Sequence, residues 1–269
     1  MKIFDVHTHV FPDGIAHRAL EHLRDLSHGL PVYSDGTGEG LEVRALHAGY
    51  NGWMNCPVVT NLHQMISVNS WCIARNRWPH LSLGGIYPHA PMDEVIAEIE
   101  RIARAGLHGV KLHPEYQQFS PLEEGLSPMW QALSDHHLPV LFHAGGDLGY
   151  VDQPQHSTPR DFAELAHRWP RLAVICAHLG GWRNWRQVEE ELCGAPVYFD
   201  TAFAKPWMAD QSQFERIIRR HGADRVLFGT DSPWHGLDAG VREVLTLDLS
   251  DDDKQRILYD NAARLFQLP

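Results

Sequence analysis

His7 and His9 lie two positions apart in the run Phe4-Asp5-Val6-His7-Thr8-His9-Val10-Phe11-Pro12. An extended chain alternates its side chains between two faces, so both imidazoles point the same way. At that spacing they can share one metal ion. Further along, short apolar runs each end in a polar residue beside Gly or Pro. Val110-Lys111-Leu112-His113-Pro114 ends in Lys111 and His113, and Leu141-Phe142-His143-Ala144-Gly145 in His143. Cys176-Ala177-His178-Leu179-Gly180 ends in His178, and Gly229-Thr230-Asp231-Ser232-Pro233 in Asp231. A polar side chain at the end of a buried strand needs a partner, and a charged one needs it more. Convergence on a metal supplies that partner, and imidazole with carboxylate suits zinc and similar divalent ions. An open position on such an ion holds a water whose pKa falls toward neutrality, which makes it a nucleophile.

The elements that must carry these residues alternate along the whole chain. Strands are expected at Lys2–Val10, Asn51–Val59, Leu81–Tyr87, Gly109–His113, Pro139–Ala144, Leu172–Leu179, Pro196–Thr201 and Arg225–Thr230. Helical periodicity fills the gaps at Gly14–Leu26, Leu62–Trp78, Met92–Ala105, Pro128–His136, Pro159–Trp169, Trp182–Cys193 and Gln211–His221. Shorter helices close the chain at Val241–Val244, Asp251–Tyr259 and Ala262–Phe266. Thr158 and Pro159 form a helix start of N-cap and first-turn proline. The Gly-rich stretch Ser34–Gly40 reads as a loop and as a mobile lid.

Alternating strands and helices imply a parallel sheet. About eight such units in ~250 residues is the size of a closed (β/α)8 TIM barrel, with its site at the C-terminal strand ends. The expected organisation is a single α/β barrel domain over residues 1–269. An open doubly wound sheet lacks support, because no G-x-G-x-x-G follows the first strand.

In these motifs the sequence resembles the amidohydrolase superfamily from end to end. The closer likeness is to the amidohydrolase-related branch that includes aminocarboxymuconate-semialdehyde decarboxylase. Lys111-Leu112-His113-Pro114, Phe142-His143-Ala144-Gly145 and Ala177-His178-Leu179-Gly180-Gly181-Trp182 look like an uncharacterised bacterial TIM-barrel hydrolase group of that branch. The resemblance implies a distorted barrel and a metal held by His7, His9, His143 and Asp231. It also implies His178 beside the bound water or substrate, and Asp231 as both ligand and acceptor of the water's proton.

Lys111 has two readings. A carbamylated lysine on the fourth strand bridges two metals in some members of the superfamily, with His143 and His178 on the second ion. The favoured reading is one ion, with Lys111 paired to Asp5 or Asp200 or binding an anionic substrate. His113, two residues on, departs from the usual bridging-lysine strand. His113, His156, Trp182, Tyr116, Asp147 and Tyr150 are, like Lys111, candidates for contact with substrate. Asp5 and Asp200 are candidate partners behind the metal-bound histidines.

Four functions fit these residues to different degrees. The first is a hydrolase that cleaves an amide, ester or lactone with a metal-activated water, His178 polarising the carbonyl. The second is a non-oxidative decarboxylase of a small aromatic or muconate-like acid, using the same residues. A non-catalytic metal protein is disfavoured by the intact ligand set. A phosphoesterase is disfavoured because no further His-x-His is present.

Composition excludes other classes. Lys and Arg total 23 against 34 Asp and Glu, a net charge of −11. Nucleic acids and anionic membranes attract basic patches, so neither is an expected partner. No long apolar run predicts a membrane span, and the N-terminal run is not an apolar signal core. The four cysteines form no C-x-x-C pair, as in a reduced cytosolic protein. Of 19 histidines, His17, His22, His28, His136, His137 and His167 fall on helices and are assigned no chemistry. Trp182, Trp185, Trp207 and Trp234 suit an exposed edge for a homodimer and a pocket wall equally well.

Overall fold

A computed structural model describes residues 1–269. Eight parallel strands form its centre: β1 (Phe4–Thr8), β2 (Gly52–Asn55), β3, β4 (Val110–Leu112), β5 (Val140–Phe142), β6 (Val174–Cys176), β7 (Tyr198–Asp200) and β8 (Val226–Leu227). The third strand runs in two pieces, His80–Ser82 and Gly84–Gly85. Its first piece pairs with β2 and its second with β4. Leu83, between them, donates its N–H to the Asn55 carbonyl at 3.0 Å. The ring closes where Val6 N–H reaches the Phe228 carbonyl at 2.9 Å and Asp231 N–H reaches the His7 carbonyl at 2.8 Å. This is a distorted TIM barrel, as the alternating pattern predicts.

Apolar residues form two layers. Phe4, Val6, Met54, Leu81, Leu141, Ile175 and Leu227 cluster inside the ring, closed below by Tyr259, Ala262 and Phe266. The larger cluster lies between the strands and the surrounding helices. Burial on both faces is why the strands read as nearly continuous apolar runs.

The register between β1 and β2 slips by one residue. Asp5 pairs with Trp53 and Thr8 with Asn55, so Val6 and His7 together oppose Met54. A bulge of this kind re-aims side chains beside a site. Here it lets Val6 join the inner apolar cluster while His7 reaches the polar rim. Simple alternation along β1 does not contain this step.

Helix α1 spans Asp13–Leu26, and α2 spans Gly38–His47. The sequence reading has no helix at α2 and places a lid in Ser34–Gly40. In the structure Thr37 caps α2 by accepting the Gly40 N–H at 3.0 Å, and Leu41 and Ala45 bury its inner face. That i, i+4 pair was the available signal. Helix α3 spans Leu62–Arg75, starting on the Asn61 side chain and stopping three residues short of the predicted end. The predicted helix at Trp182–Cys193 is instead a short α-turn at Trp185–Gln187 followed by a π-turn at Val188–Leu192. No helix is long and apolar enough to cross a membrane.

Candidate active site

His7, His9 and Asp231 meet at the C-terminal rim. His7 Nε2 lies 3.2 Å from His9 Nε2 and 3.5 Å from Asp231 Oδ1. His9 Nε2 lies 3.0 Å from the same oxygen. Ligand atoms bound at 2.0–2.1 Å to one tetrahedral ion stand about 3.3 Å apart. The three donors therefore have the mutual spacing that a metal requires.

The tautomer of His7 also fits. Its Nδ1–H donates to Asp200 Oδ2 at 2.8 Å, which leaves the Nε2 lone pair facing His9 and Asp231. Burial, then the Lys111 charge, holds the His7 pKa well below its ordinary value. The His7–Asp200 contact is thus a hydrogen bond from a neutral ring. Burial alone pushes the Asp231 carboxyl up, but the His9 hydrogen bond and the imidazoles gathered around it outweigh burial and hold the group below its ordinary value.

Asp200 serves two histidines. Its Oδ1 accepts the His178 and Ala202 N–H groups at 2.9 and 3.0 Å, while Oδ2 takes His7. His178 Nδ1–H donates to the Ala202 carbonyl at 2.8 Å, so its Nε2 faces inward. Asp5 does something different from its expected role. It accepts the N–H groups of His7 and Thr230, both at 3.0 Å, and so fastens β1 to the turn carrying Asp231. His178 and Asp231 both have left-handed backbones, at φ 57° and 65°. Non-glycine residues seldom adopt that region, and such positions cluster at functional sites.

His143 does not join the group of three. Its Nε2–H donates to the Gly146 carbonyl at 2.8 Å, which turns Nδ1 toward His178 Nε2 at 3.0 Å. The expected four-ligand shell is therefore divided into His7, His9 and Asp231 on one side and the His143–His178 pair on the other. His113, His143 and Asp147 form a second cluster of possible ligands. Their hydrogen bonds do not fit a second ion. His113 Nδ1 accepts the Tyr116 N–H at 3.2 Å, so its hydrogen is on Nε2, toward Asp147 at 3.6 Å. The His143 nitrogen nearest Asp147 also carries a hydrogen. Neither ring offers that carboxylate a lone pair to share.

Lys111 is buried, with its Nζ 3.1 Å from His7 Nε2. No carboxylate comes within 4.0 Å of it, so the expected pairing with Asp5 or Asp200 is not made. Burial lowers its pKa, opposed by Cys56, Asp200, Asp231 and Asp147.

A cavity of about 930 Å³ opens over these residues. His113, Tyr116, Asp147, Tyr150 and Trp182 line it. His113 stacks between His143 and Tyr116, with ring centroids 4.0 and 3.9 Å away. Trp182 is fixed because its N–H donates to the Ala144 carbonyl at 2.7 Å and its carbonyl accepts the Gly146 N–H at 3.1 Å. His156 does not line the cavity. Buried Glu115 takes its N–H at 2.9 Å and its Nδ1 at 3.1 Å, because a buried carboxylate must gather donors. Glu115 was missed in the sequence, where it reads as a loop residue after Pro114.

The tryptophans do not form an exposed edge. Trp182, Trp207 and Trp234 line the cavity, and buried Trp185 donates Nε1–H to the His178 carbonyl at 2.9 Å. Ser34–Gly40 does not border the cavity; helix α1 does, including His22, which had been assigned no chemistry.

A TIM barrel with this group of histidines and a carboxylate at its rim is the architecture of a metal-dependent enzyme. The pattern of the amidohydrolase family matches residues 4–268, and the chain belongs to that family. It is an enzyme that works with a divalent metal. No curated protein matches the chain significantly. Solved structures of the same fold include an uncharacterised TIM-barrel protein of Bordetella bronchiseptica, at 20% identity and TM-score 0.81, covering 99% of both chains. They include 2,6-dihydroxybenzoate decarboxylase from Rhizobium, at 16% identity and TM-score 0.73, again covering 99% of both. A third is 5-carboxyvanillate decarboxylase of Novosphingobium aromaticivorans, complexed with manganese and 4-hydroxy-3-methoxy-5-nitrobenzoic acid. It is 16% identical with TM-score 0.70, covering 99% of this chain and 96% of that one.

Proposed function

We propose that this enzyme is a metal-dependent, non-oxidative decarboxylase of a small aromatic or muconate-like acid. The observation that carries the reading is Lys111, a buried amine beside His7 with no carboxylate partner of its own. A buried ammonium needs an anion, and a substrate carboxylate supplies one. The decarboxylases of the same fold support the reading by analogy.

His7, His9 and Asp231 would hold the metal, with His143 as fourth ligand through its Nδ1 lone pair. When bound there, the ion would supply Lewis acidity toward the substrate's oxygens. Lys111 holds the carboxylate's charge, and the aromatic walls exclude water. His178 delivers a proton to the carbon that loses carbon dioxide: the C–C bond breaks, its electron pair stays on that carbon, and the proton replaces the carboxyl group. Zinc is the proposed ion, because imidazole-rich donors suit it. Manganese as the sole metal in elemental analysis would overturn that part.

Hydrolysis of an amide, ester or lactone is the second reading, favoured by the position of the Asp231 carboxylate beside His7 and His9, where it would face a metal-bound water. Carbon dioxide release from aromatic and muconate-like acids separates the two. Release upholds the decarboxylase; silence, with ester or amide cleavage, replaces it by the hydrolase. Full turnover by Asp231→Asn with metal still bound would exclude Asp231 as the base. Free cysteines, three of them buried, support a reducing, cytosolic setting.

A further inference from the structure

The cavity is far larger than a benzoic acid needs. A dry cavity of ~150 Å³ holds a benzene ring, against about 930 Å³ here. Two helices, α1 and α3, contribute to its walls. On α1, Ala16 and Leu20 are the buried residues that seat the helix on the protein. A second stripe, Ile15, Ala19, Leu23 and Leu26, faces the cavity instead. These positions recur at helical spacing, so the cavity side of α1 is apolar apart from His22, which lines the same space. Val68 and Trp71 of α3 line the same space.

This region offers little to a polar ligand. The Gln64 side chain accepts from Thr60 N–H at 2.8 Å and from its hydroxyl at 3.0 Å. Ser67 donates its hydroxyl to the His63 carbonyl at 2.9 Å. Of all the residues lining the cavity, only Lys111, on its floor, is a Lys or Arg. Apart from the His22 imidazole, a second anionic group on the ligand would find no basic side chain on the α1 and α3 walls.

We infer that the substrate carries one acidic head and an extended apolar tail, with the head at the His7–His9–Asp231 floor and the tail between α1 and α3. The inference rests on the reading that an acid binds at that floor, and it adds the class of acid. Ala19, Leu23, Val68 and Trp71 set the specificity for the tail.

The test is calorimetric binding of benzoate and 4-n-alkylbenzoates, ethyl to hexyl, to the metal-loaded enzyme. Burial of each methylene is worth about fourfold in affinity, so hexylbenzoate, six methylenes larger, should bind on the order of a thousand-fold or more tighter than benzoate. A terminal carboxylate on the same chain should abolish the gain. Ala19→Phe and, separately, Val68→Phe should each reduce the hexylbenzoate-to-benzoate affinity ratio at least tenfold. Equal affinities along the wild-type series, an equally tight dicarboxylate, or no binding by any member would overturn the inference. Because binding is read without turnover, a preserved chain-length gradient with no carbon dioxide release removes only the decarboxylase reading. Release from small acids with a flat gradient removes only the tail chamber.

Discussion

Asp200, at the end of β7, holds His7 of β1 across the end of β8, its Oδ2 accepting the Nδ1–H at 2.8 Å while Oδ1 takes two backbone N–H groups. Both carboxylate oxygens are acceptors, a condition that an amide cannot meet. Asp200→Asn must turn an NH2 toward either His7 or the His178 backbone. Loss of such an outer partner typically costs 10–100-fold in metal affinity. Chelator competition should show a loss of about that size with the fold intact by circular dichroism; unchanged affinity would remove Asp200 from the support of the site.

His143 and His178 face one another at 3.0 Å with their outer nitrogens already committed to carbonyls. The pair needs a proton or a metal ion between or beside the two inner nitrogens. The assigned roles separate them. His143→Ala should lower metal occupancy, whereas His178→Ala should keep the metal and slow turnover by roughly 10²–10⁴. Elemental analysis with steady-state kinetics reads both, and metal loss in His178→Ala alone would reverse the roles.

Lys111→Ala separates anion binding from a carbamate bridge. One metal per chain is expected in both wild type and variant. Removing a charged hydrogen-bond partner of a carboxylate costs about 1.5–3 kcal/mol, so benzoate affinity should fall by about 10–100-fold. Two metals per wild-type chain, falling to one or none, would instead establish the bridge.

Gly145 joins the His143 strand end to Trp182. At φ +86° its added Cβ would stand 2.5 Å from the Trp182 backbone N and O. Gly145→Ala should therefore cost more than the roughly 1–3 kcal/mol of left-handed strain alone, because the Trp182 segment must also move. Urea unfolding and activity should both register the change; a variant as stable and active as wild type would contradict the close approach.

Two histidines outside the site make stability acid-sensitive. Burial lowers the pKa of His80 and of His221 to about 4. Between pH 6.5 and about 4 the unfolded chain then binds more protons than the folded one. Their contribution, up to about 3 kcal/mol each, is complete above pH 6.5 and is lost as pH falls toward 4. His80 Nε2 is buried without a partner, so His80→Leu should flatten this acid limb at little cost in stability at pH 7. An unaltered pH profile of unfolding in that variant would exclude His80 as a contributor.

Much of this protein follows from local pattern. Apolar runs broken by His7, His9, Lys111, His143, His178 and Asp231 mark the strand ends, and their alternation with helices implies the barrel. Those features depend on side-chain period and on turn residues, which are properties of neighbours in the chain. The bulge at Val6–His7, the turning of His143 toward His178, and the capture of His156 by Glu115 depend on partners brought near by folding. So does the cavity-facing side of α1: helical spacing places Ile15, Ala19, Leu23 and Leu26 along one side of the helix, and the cavity beneath them comes only with folding. The sequence therefore determined which residues reach the rim. Only the tertiary structure decided which nitrogen or oxygen each one presents there, because a hydrogen bond is chosen by distance in space and not by separation along the chain.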